Sequence, residues 1–140
     1  MAGSSVTITF SKIDSPYAEN RGIVKVLIAW VADDATGAVP DTAFDTDDML
    51  DIMGRYCVLG TTNPGVTAPT ANYDISIEDA QGIDVFGGEL GNRSASASEQ
   101  AEPKMGNGYG PRVIADNLTF KLTNNSVNSA LGECALYFKD

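Results

Sequence analysis

Apolar and polar residues alternate with a period of two in the most strongly patterned segments of this chain. The segment VTITFSK places Val6, Ile8 and Phe10 on one side and threonine or serine on the other. Successive side chains of a β-strand point to opposite faces of the sheet, so this pattern predicts strands with one buried face. The same alternation recurs in YDISIED, NLTFKLTNN and ECALYFKD. An antiparallel β protein is therefore expected.

The segment GIVKVLIAWVA differs because both of its faces are apolar. One face carries Val24, Val26, Ile28, Trp30 and Ala32, and the opposite face carries Leu27, Ala29 and Val31. Such a run predicts a central strand that other elements cover on both sides. On a strand of this kind, a tryptophan is more often part of the core than a platform for a ligand.

The number and spacing of the patterned segments indicate the architecture. With RYCVLG and the weaker segments IDVFG and RVIAD, about eight strands are predicted, and the turn-rich residues 60–71 are expected to connect two of them. YDISIEDAQGIDVFGG is interpreted as a strand, a turn at residues 80–82 and a returning strand. A chain of 140 residues suits one core. We therefore expect residues 1–140 to form a single antiparallel β-sandwich or jelly roll.

One segment, DTDDMLDIMG, has a helical signal. Asp45 or Thr46 is suited to cap its start, and Gly54 is suited to end it in a left-handed conformation. One short helix is therefore predicted. It is expected to cover one end of the sandwich with three side chains, Met49, Leu50 and Met53.

Residues 87–111 form a long segment with few large apolar side chains. A compact domain seldom keeps such a loop without a role, and contact with a partner is a common one. Arginine and tyrosine are favoured at protein interfaces. We therefore predict a partner-contact role for the basic and aromatic residues in and beside this loop, Arg93, Lys104, Tyr109 and Arg112.

The residue types that most enzymes use are missing or wrongly placed. The chain has no histidine, which removes the usual general base and the commonest metal ligand. Asp74 and Glu78 lie on the polar face of an alternating strand rather than in a groove that could hold a sugar. The glycines at 87–91 and 106–110 do not lead from a strand into a helix, as a phosphate-binding loop requires. We therefore predict no catalytic or cofactor site, and a protein that is not an enzyme.

A cluster of acidic residues has the composition of a calcium site but not its pattern. Asp45, Asp47, Asp48 and Asp51 lie close together, yet no glycine follows midway and no glutamate closes the loop as in an EF-hand. Capping of the short helix explains these residues better. No metal site is predicted.

The net charge of the chain limits the kinds of partner that it is expected to bind. There are 19 acidic against 9 basic residues, which gives a net charge of -10. This charge repels phosphate backbones and anionic lipid, so binding to nucleic acid or to a membrane surface is not expected. No apolar run approaches the roughly 20 residues that span a bilayer, and MAGSSVTITF does not resemble a signal peptide.

Two cysteines, Cys57 and Cys134, lie in alternating apolar segments, where a small buried thiol packs well. A protein that is not secreted is expected to keep both reduced. The sequence leaves open whether they lie close together.

The second half of the chain resembles a known family. NYDISIEDAQGIDVFGGELGNRSASASEQ, followed by GPRVIADNLTFKLTNNSVNSALGECALYFKD, is similar to small virion proteins of tailed bacteriophages. Within that group it most resembles the capsid cement, or decoration, proteins of short-tailed phages such as those that infect Bordetella. The similarity covers residues 72–140 well, and the first half only in length and strand content.

This resemblance implies a structural protein with a jelly-roll-like fold on the outer surface of an icosahedral head. Its partner would be the major capsid protein, whose neighbouring subunits it would bridge, and a dimer of the protein itself is expected. It would be made in the cytoplasm of the host bacterium. A tail or head-tail connector protein with a β-sandwich, and a carbohydrate-binding module, remain alternatives.

Overall fold

The computed structural model describes residues 3–13 and 22–140. Within them the chain forms eleven β-strands and one short helix. In chain order the strands β1–β4 are Ser5–Ile13, Ile23–Val31, Thr42–Ala43 and Tyr56–Pro64, with the helix α1, Thr46–Met49, between β3 and β4. The strands β5–β11 are Asp74–Glu78, Glu99–Ala101, Lys104–Met105, Gly108–Tyr109, Arg112–Val113, Thr119–Thr123 and Leu131–Lys139.

The long strands pair into two antiparallel sheets. The larger has the order β1-β2-β11-β4-β6, and β9 pairs with the other end of β4. The smaller has the order β3-β10-β5, and β7 and β8 form a separate two-stranded hairpin. The predicted all-β antiparallel sandwich with one short helix is confirmed.

The core lies between the two sheets, where the alternating residues of the long strands meet. The larger sheet contributes Val24, Val26, Ile28, Trp30, Cys134, Leu136 and Phe138, and the smaller contributes Ile75, Ile77, Phe120 and Leu122. Trp30 and Tyr73 meet across this core with ring centroids 5.8 Å apart. The buried faces are those that the period-two pattern predicted.

The prediction that β2 is covered on both faces is wrong. β2 does lie inside the larger sheet, between β1 and β11. Its second face, which carries Leu27, Ala29 and Val31, is only half-buried. Aliphatic residues also favour the extended backbone of a strand whose outer face is partly open to water.

The predicted helix is correct in its N-terminal cap, but it ends before Gly54, with Leu50 as its C-terminal cap, and its buried face differs. The Asp45 side chain accepts hydrogen bonds from the backbone amides of Asp47 and Asp48, and Gly54 has a φ of 83°. α1 ends at Met49, and the chain continues in turns to Gly54. Of the three side chains predicted to cover the sandwich, only Met49 is buried. Leu50 is 74% and Met53 39% exposed, and Ile52 is buried instead.

Four other assignments differ from the sequence prediction. β4 continues to Pro64, into the segment predicted to be a connection. The expected strand at IDVFG is reduced to a single bridge between Glu78 and Asp84, and RVIAD to the two residues of β9. The segment 87–111 contains β6, β7 and β8 as well as loop, and it is anchored by Leu90, which is fully buried.

Both cysteines are free and buried on neighbouring strands, β4 and β11. Burial raises the pKa of Cys57 from its ordinary value of 9.0 to about 12, and that of Cys134 likewise to about 12. A raised native pKa means that the unfolded chain ionises first as pH rises. The resulting stability is fully present below pH 9.0 and is lost as pH rises toward about 12.

We therefore expect urea denaturation to show a free energy of unfolding that falls as pH rises from about 9 to about 10.5. The matched control is the variant Cys57→Ala/Cys134→Ala, which should lose part of this pH dependence although it is less stable at neutral pH. An identical slope in the two proteins would contradict the assignment to the thiols.

Candidate interaction surface at the β7–β8 hairpin

The hairpin of β7 and β8 presents two large apolar side chains to solvent. Lys104 pairs with Tyr109 and Met105 with Gly108, with Gly106 and Asn107 in the turn. Gly106 has a φ of 60°, a conformation that glycine adopts without strain. Met105 is 52% and Tyr109 59% exposed. The glycine-rich segment here is thus a turn, as predicted, and it displays residue types that protein interfaces favour.

The base of the hairpin is fixed to the core. The Lys104 amide donates a hydrogen bond to the carbonyl oxygen of Phe86 at 3.2 Å, and the Phe86 side chain is fully buried. Gly87 lies so close that a Cβ atom there would be 2.1 Å from the Lys104 carbonyl oxygen. Only glycine allows this approach. The backbone at the base of the hairpin is therefore fixed before any partner binds, which lowers the entropic cost of binding.

An open polar cleft of about 590 Å³ lies beside the hairpin. Its lining comes from three stretches of chain: residues 88–93, residues 100–102 and Tyr109. The first stretch is held by Asp74, whose carboxylate accepts a hydrogen bond from the Asn92 amide at 2.7 Å and another from the Asn124 side chain. Asp74, on the polar face of β5, thus supports the cleft.

Arg93 holds the wall of this cleft. Its Nε donates to the Gly91 carbonyl oxygen at 3.0 Å, and its guanidinium is 3.7 Å from the Glu99 carboxylate. The same carboxylate accepts a hydrogen bond from the Ser94 amide at 2.7 Å. Only 14% of the Arg93 side chain is exposed. Arg93 therefore stabilises the loop and offers little surface to a partner.

Tyr109 lies between charges of both signs. The Lys104 ammonium is 5.5 Å from the centre of its ring, a cation–π distance. A hydrogen bond to Glu89, and the negative charge of that residue and of Glu102, raise the pKa of Tyr109 above its ordinary value. These interactions favour the protonated phenol, whose O–H donates to Glu89 within the chain.

Of the four residues predicted to contact a partner, the structure brings three together. Arg93 and Tyr109 line the cleft, and Lys104 stands beside Tyr109. Arg112 lies elsewhere, 3.2 Å from the Asp79 carboxylate and in a second cleft of about 310 Å³. Hydrogen bonds from the Ile83 amide, and the neighbouring Arg112, lower the pKa of Asp79.

Sequence reasoning missed three residues of this surface: Glu89, Glu102 and Met105. The available signal was the Gly-Asn pair at 106–107, which favours a two-residue hairpin turn and so exposes the residues on either side. The two glutamates could not be assigned to the cleft, because the pairing of β6 with β4 that places this stretch is long-range.

The other acidic residues that attracted attention in the sequence have structural partners. The Asp84 carboxylate accepts hydrogen bonds from the backbone amides of Ile77, Phe86 and Gly88 at 2.8–3.1 Å. Asp45 caps α1. Within residues 3–13 and 22–140, no group of three or more acidic or cysteine side chains is arranged to hold a metal ion.

A second group of exposed apolar residues crosses one end of the larger sheet. Ile13 pairs with Ile23 at the ends of β1 and β2, and Tyr56 pairs with Val113 where β4 meets β9. All four side chains are more than a third exposed. This group, the apolar end row, is a further surface available to a partner.

Comparisons of the chain with protein-family models, with curated proteins and with solved structures find no match. The only helix in the described residues has four residues, and none there has the length or hydropathy of a membrane span. The role of the surface is therefore inferred from its own residues.

Proposed function

We propose that this protein is a capsid cement protein, which binds the outer surface of a bacteriophage head and bridges neighbouring subunits of the major capsid protein. The observation that carries the proposal is the β7–β8 hairpin, which holds Met105 and Tyr109 exposed on a rigid β-sandwich. The resemblance of residues 72–140 to cement proteins supports the class of partner, although the hairpin lies between the two segments that carry it, residues 72–100 and 110–140.

A protein of this kind needs binding surfaces rather than chemistry. Packaged DNA presses outward on every contact of the shell, so a protein that binds two neighbouring subunits stabilises the closed form by mass action. It must bind the assembled lattice better than it binds free subunits. The hairpin forms its own two-stranded sheet and the apolar end row lies on the larger sheet, and we assign one contact with the lattice to each.

The charge of the protein favours the outside of the head over the inside. A net charge of -10 repels packaged DNA, whose phosphates also carry negative charge. The lattice surface that receives the hairpin would offer basic or polar groups to the cleft carboxylates, Glu89 and Glu102. Synthesis in the host cytoplasm suits the two reduced cysteines.

One observation favours a second candidate, a carbohydrate-binding module. The cleft is open and polar, and it combines an exposed aromatic ring with the amides of Asn92 and Gln100. Such a set of groups is suited to stack on a sugar ring and to hydrogen-bond its hydroxyls. Binding of the isolated protein to a glycan array, lost in Tyr109→Ala, would favour this candidate.

Copy number and location test the proposed function. Quantitative mass spectrometry of purified particles should give a copy number comparable with that of the major capsid protein, and gold-labelled antibodies should mark heads. A few copies per particle, or label at the tail or neck, would contradict the proposal and favour the connector alternative.

A further inference from the structure

The edge strand β1 is long and regular, and among the described residues one of its sides has no strand partner. It lies at the end of the larger sheet and pairs with β2 over all nine residues, from Ser5–Val31 to Ile13–Ile23, without a shift in register. Among the residues that the structure describes, β2 is its only strand partner. One side of β1 therefore presents a row of backbone groups roughly 30 Å long that no described strand pairs.

The other edges of the two sheets are short or interrupted. On the far side of the larger sheet, β4 is covered by β6 with three residues and β9 with two. The smaller sheet ends in β3, with two residues, and in β5, whose flanks are closed by the bridges Tyr73–Arg93 and Glu78–Asp84. Natural proteins protect sheet edges in these ways against unwanted pairing. β1 is the exception.

The sequence of β1 also lacks the residues that prevent edge pairing. It has no proline, and its first seven residues, SVTITFS, carry no charge. They are mainly β-branched or aromatic residues, which favour extended structure. Lys12 is the one charged residue of the strand, close to its end, and it pairs with Asp51 of the same chain at 3.5 Å.

The pattern of β1 matches a second, antiparallel copy of itself. If two copies pair with Ile8 opposite Ile8, then Val6 lies opposite Phe10, and these three inward residues share one face. Thr7 then lies opposite Thr9 on the outward face. Val6, Ile8 and Phe10 are only partly buried in the single chain and pack against the edge of its core. A second copy in this register would cover them.

We infer that β1 is a dimerisation strand, and that two copies of this protein join their larger sheets across a two-fold axis at Ile8. No like charges face each other in this register, since Lys12 falls opposite Ser4. The net charge of -10 on each copy opposes the approach, so the dimer should tighten as ionic strength rises. A two-fold contact of this kind is self-complementary and closes without forming fibres.

The resemblance to cement proteins implies a dimer, and this inference assigns a surface to it, but the inference rests on the fold alone. It is tested without any phage particle, so its failure would leave the capsid role standing. Conversely, a dimer would form even if the protein had no place on a head.

The test uses charges at Thr7 and Thr9, which are exposed and lie opposite each other only in the dimer. Sedimentation analysis should find a dimer of the natural protein. In Thr7→Lys/Thr9→Lys, and equally in Thr7→Glu/Thr9→Glu, like charges meet across the axis and should weaken the dimer by roughly tenfold or more. An equal mixture of the two variants should restore it. Thr67→Lys/Asn128→Lys, with the same added charge at exposed sites away from β1, is the matched control and should stay dimeric.

Hydrogen exchange of the natural protein gives an independent readout. Amides of residues 5–11 should exchange more slowly at concentrations where the dimer predominates than where the monomer does. A monomer at all concentrations, a dimer that both charged variants leave intact, or exchange of β1 that does not change with concentration would overturn the inference.

Discussion

Trp30→Ala is expected to lower the free energy of unfolding by about 3–5 kcal/mol. Trp30 is 1% exposed, lies on β2 and packs against Tyr73 in the centre of the core. The opposite strand provides space for the ring with Gly132, since a Cβ atom there would lie 2.3 Å from the indole. Truncation to alanine therefore leaves a large cavity next to a residue that has no side chain to fill it. Urea denaturation measures the loss.

Two variants separate the cavity from other effects. Trp30→Phe keeps most of the ring and removes an indole N–H that finds no hydrogen-bond partner among the described residues, so it should cost much less. Val66→Ala, at a side chain that is 97% exposed, should change the free energy of unfolding by less than about 0.5 kcal/mol. A Trp30→Ala protein as stable as Val66→Ala would show that Trp30 does not hold the core.

The double variant Met105→Ala/Tyr109→Ala should weaken binding to phage heads by roughly a hundredfold or more, because exposed aromatic and methionine anchors carry most of the energy of many interfaces. Both side chains project from the hairpin, so the free energy of unfolding should change by less than about 1 kcal/mol. Co-sedimentation of labelled protein with heads that lack it measures the affinity.

The matched control is Leu50→Ala/Val66→Ala, which removes two exposed apolar side chains away from the hairpin and should bind heads normally. If both double variants bind as the natural protein does, the contact lies elsewhere, and the apolar end row becomes the surface to mutate.

The sequence predicts the part of this fold that depends on local pattern. Period-two alternation correctly assigns the buried faces of β2, β5, β10 and β11, because a half-buried strand must alternate. The start of the helix follows from Asp45, whose capping role depends only on neighbours in the chain.

The incorrect predictions concern features that depend on contacts with residues distant in the sequence. Whether the second face of β2 is covered depends on which other elements pack against it. Leu27 and Val31 are compatible with a covered face and with a partly exposed one. β6 has only three residues and exists because Glu99–Ala101 pairs with Thr62–Gly60 of β4. Three residues are too few to show a period. The exposure of Leu50 follows from a helix that ends at Met49, so the helical spacing that placed Leu50 on the buried face does not reach it.

The candidate surface was predictable only where its residues are close together in the sequence. Lys104 and Tyr109 lie in one hairpin, so their proximity follows from a local turn. Arg112 is three residues farther along the chain, but its guanidinium pairs with Asp79, 33 residues earlier. A charged residue beside a loop is thus poor evidence of a free charge, since its partner can come from any part of the chain.

The most direct measurement for the proposed cement role is the survival of heads with and without this protein on heating. Particles that lack it should release their DNA at a lower temperature than complete particles, and added purified protein should restore the higher temperature. The Met105→Ala/Tyr109→Ala protein should fail to restore it. Equal release temperatures for complete and deficient particles, or no binding of the added protein to mature heads, would contradict the role.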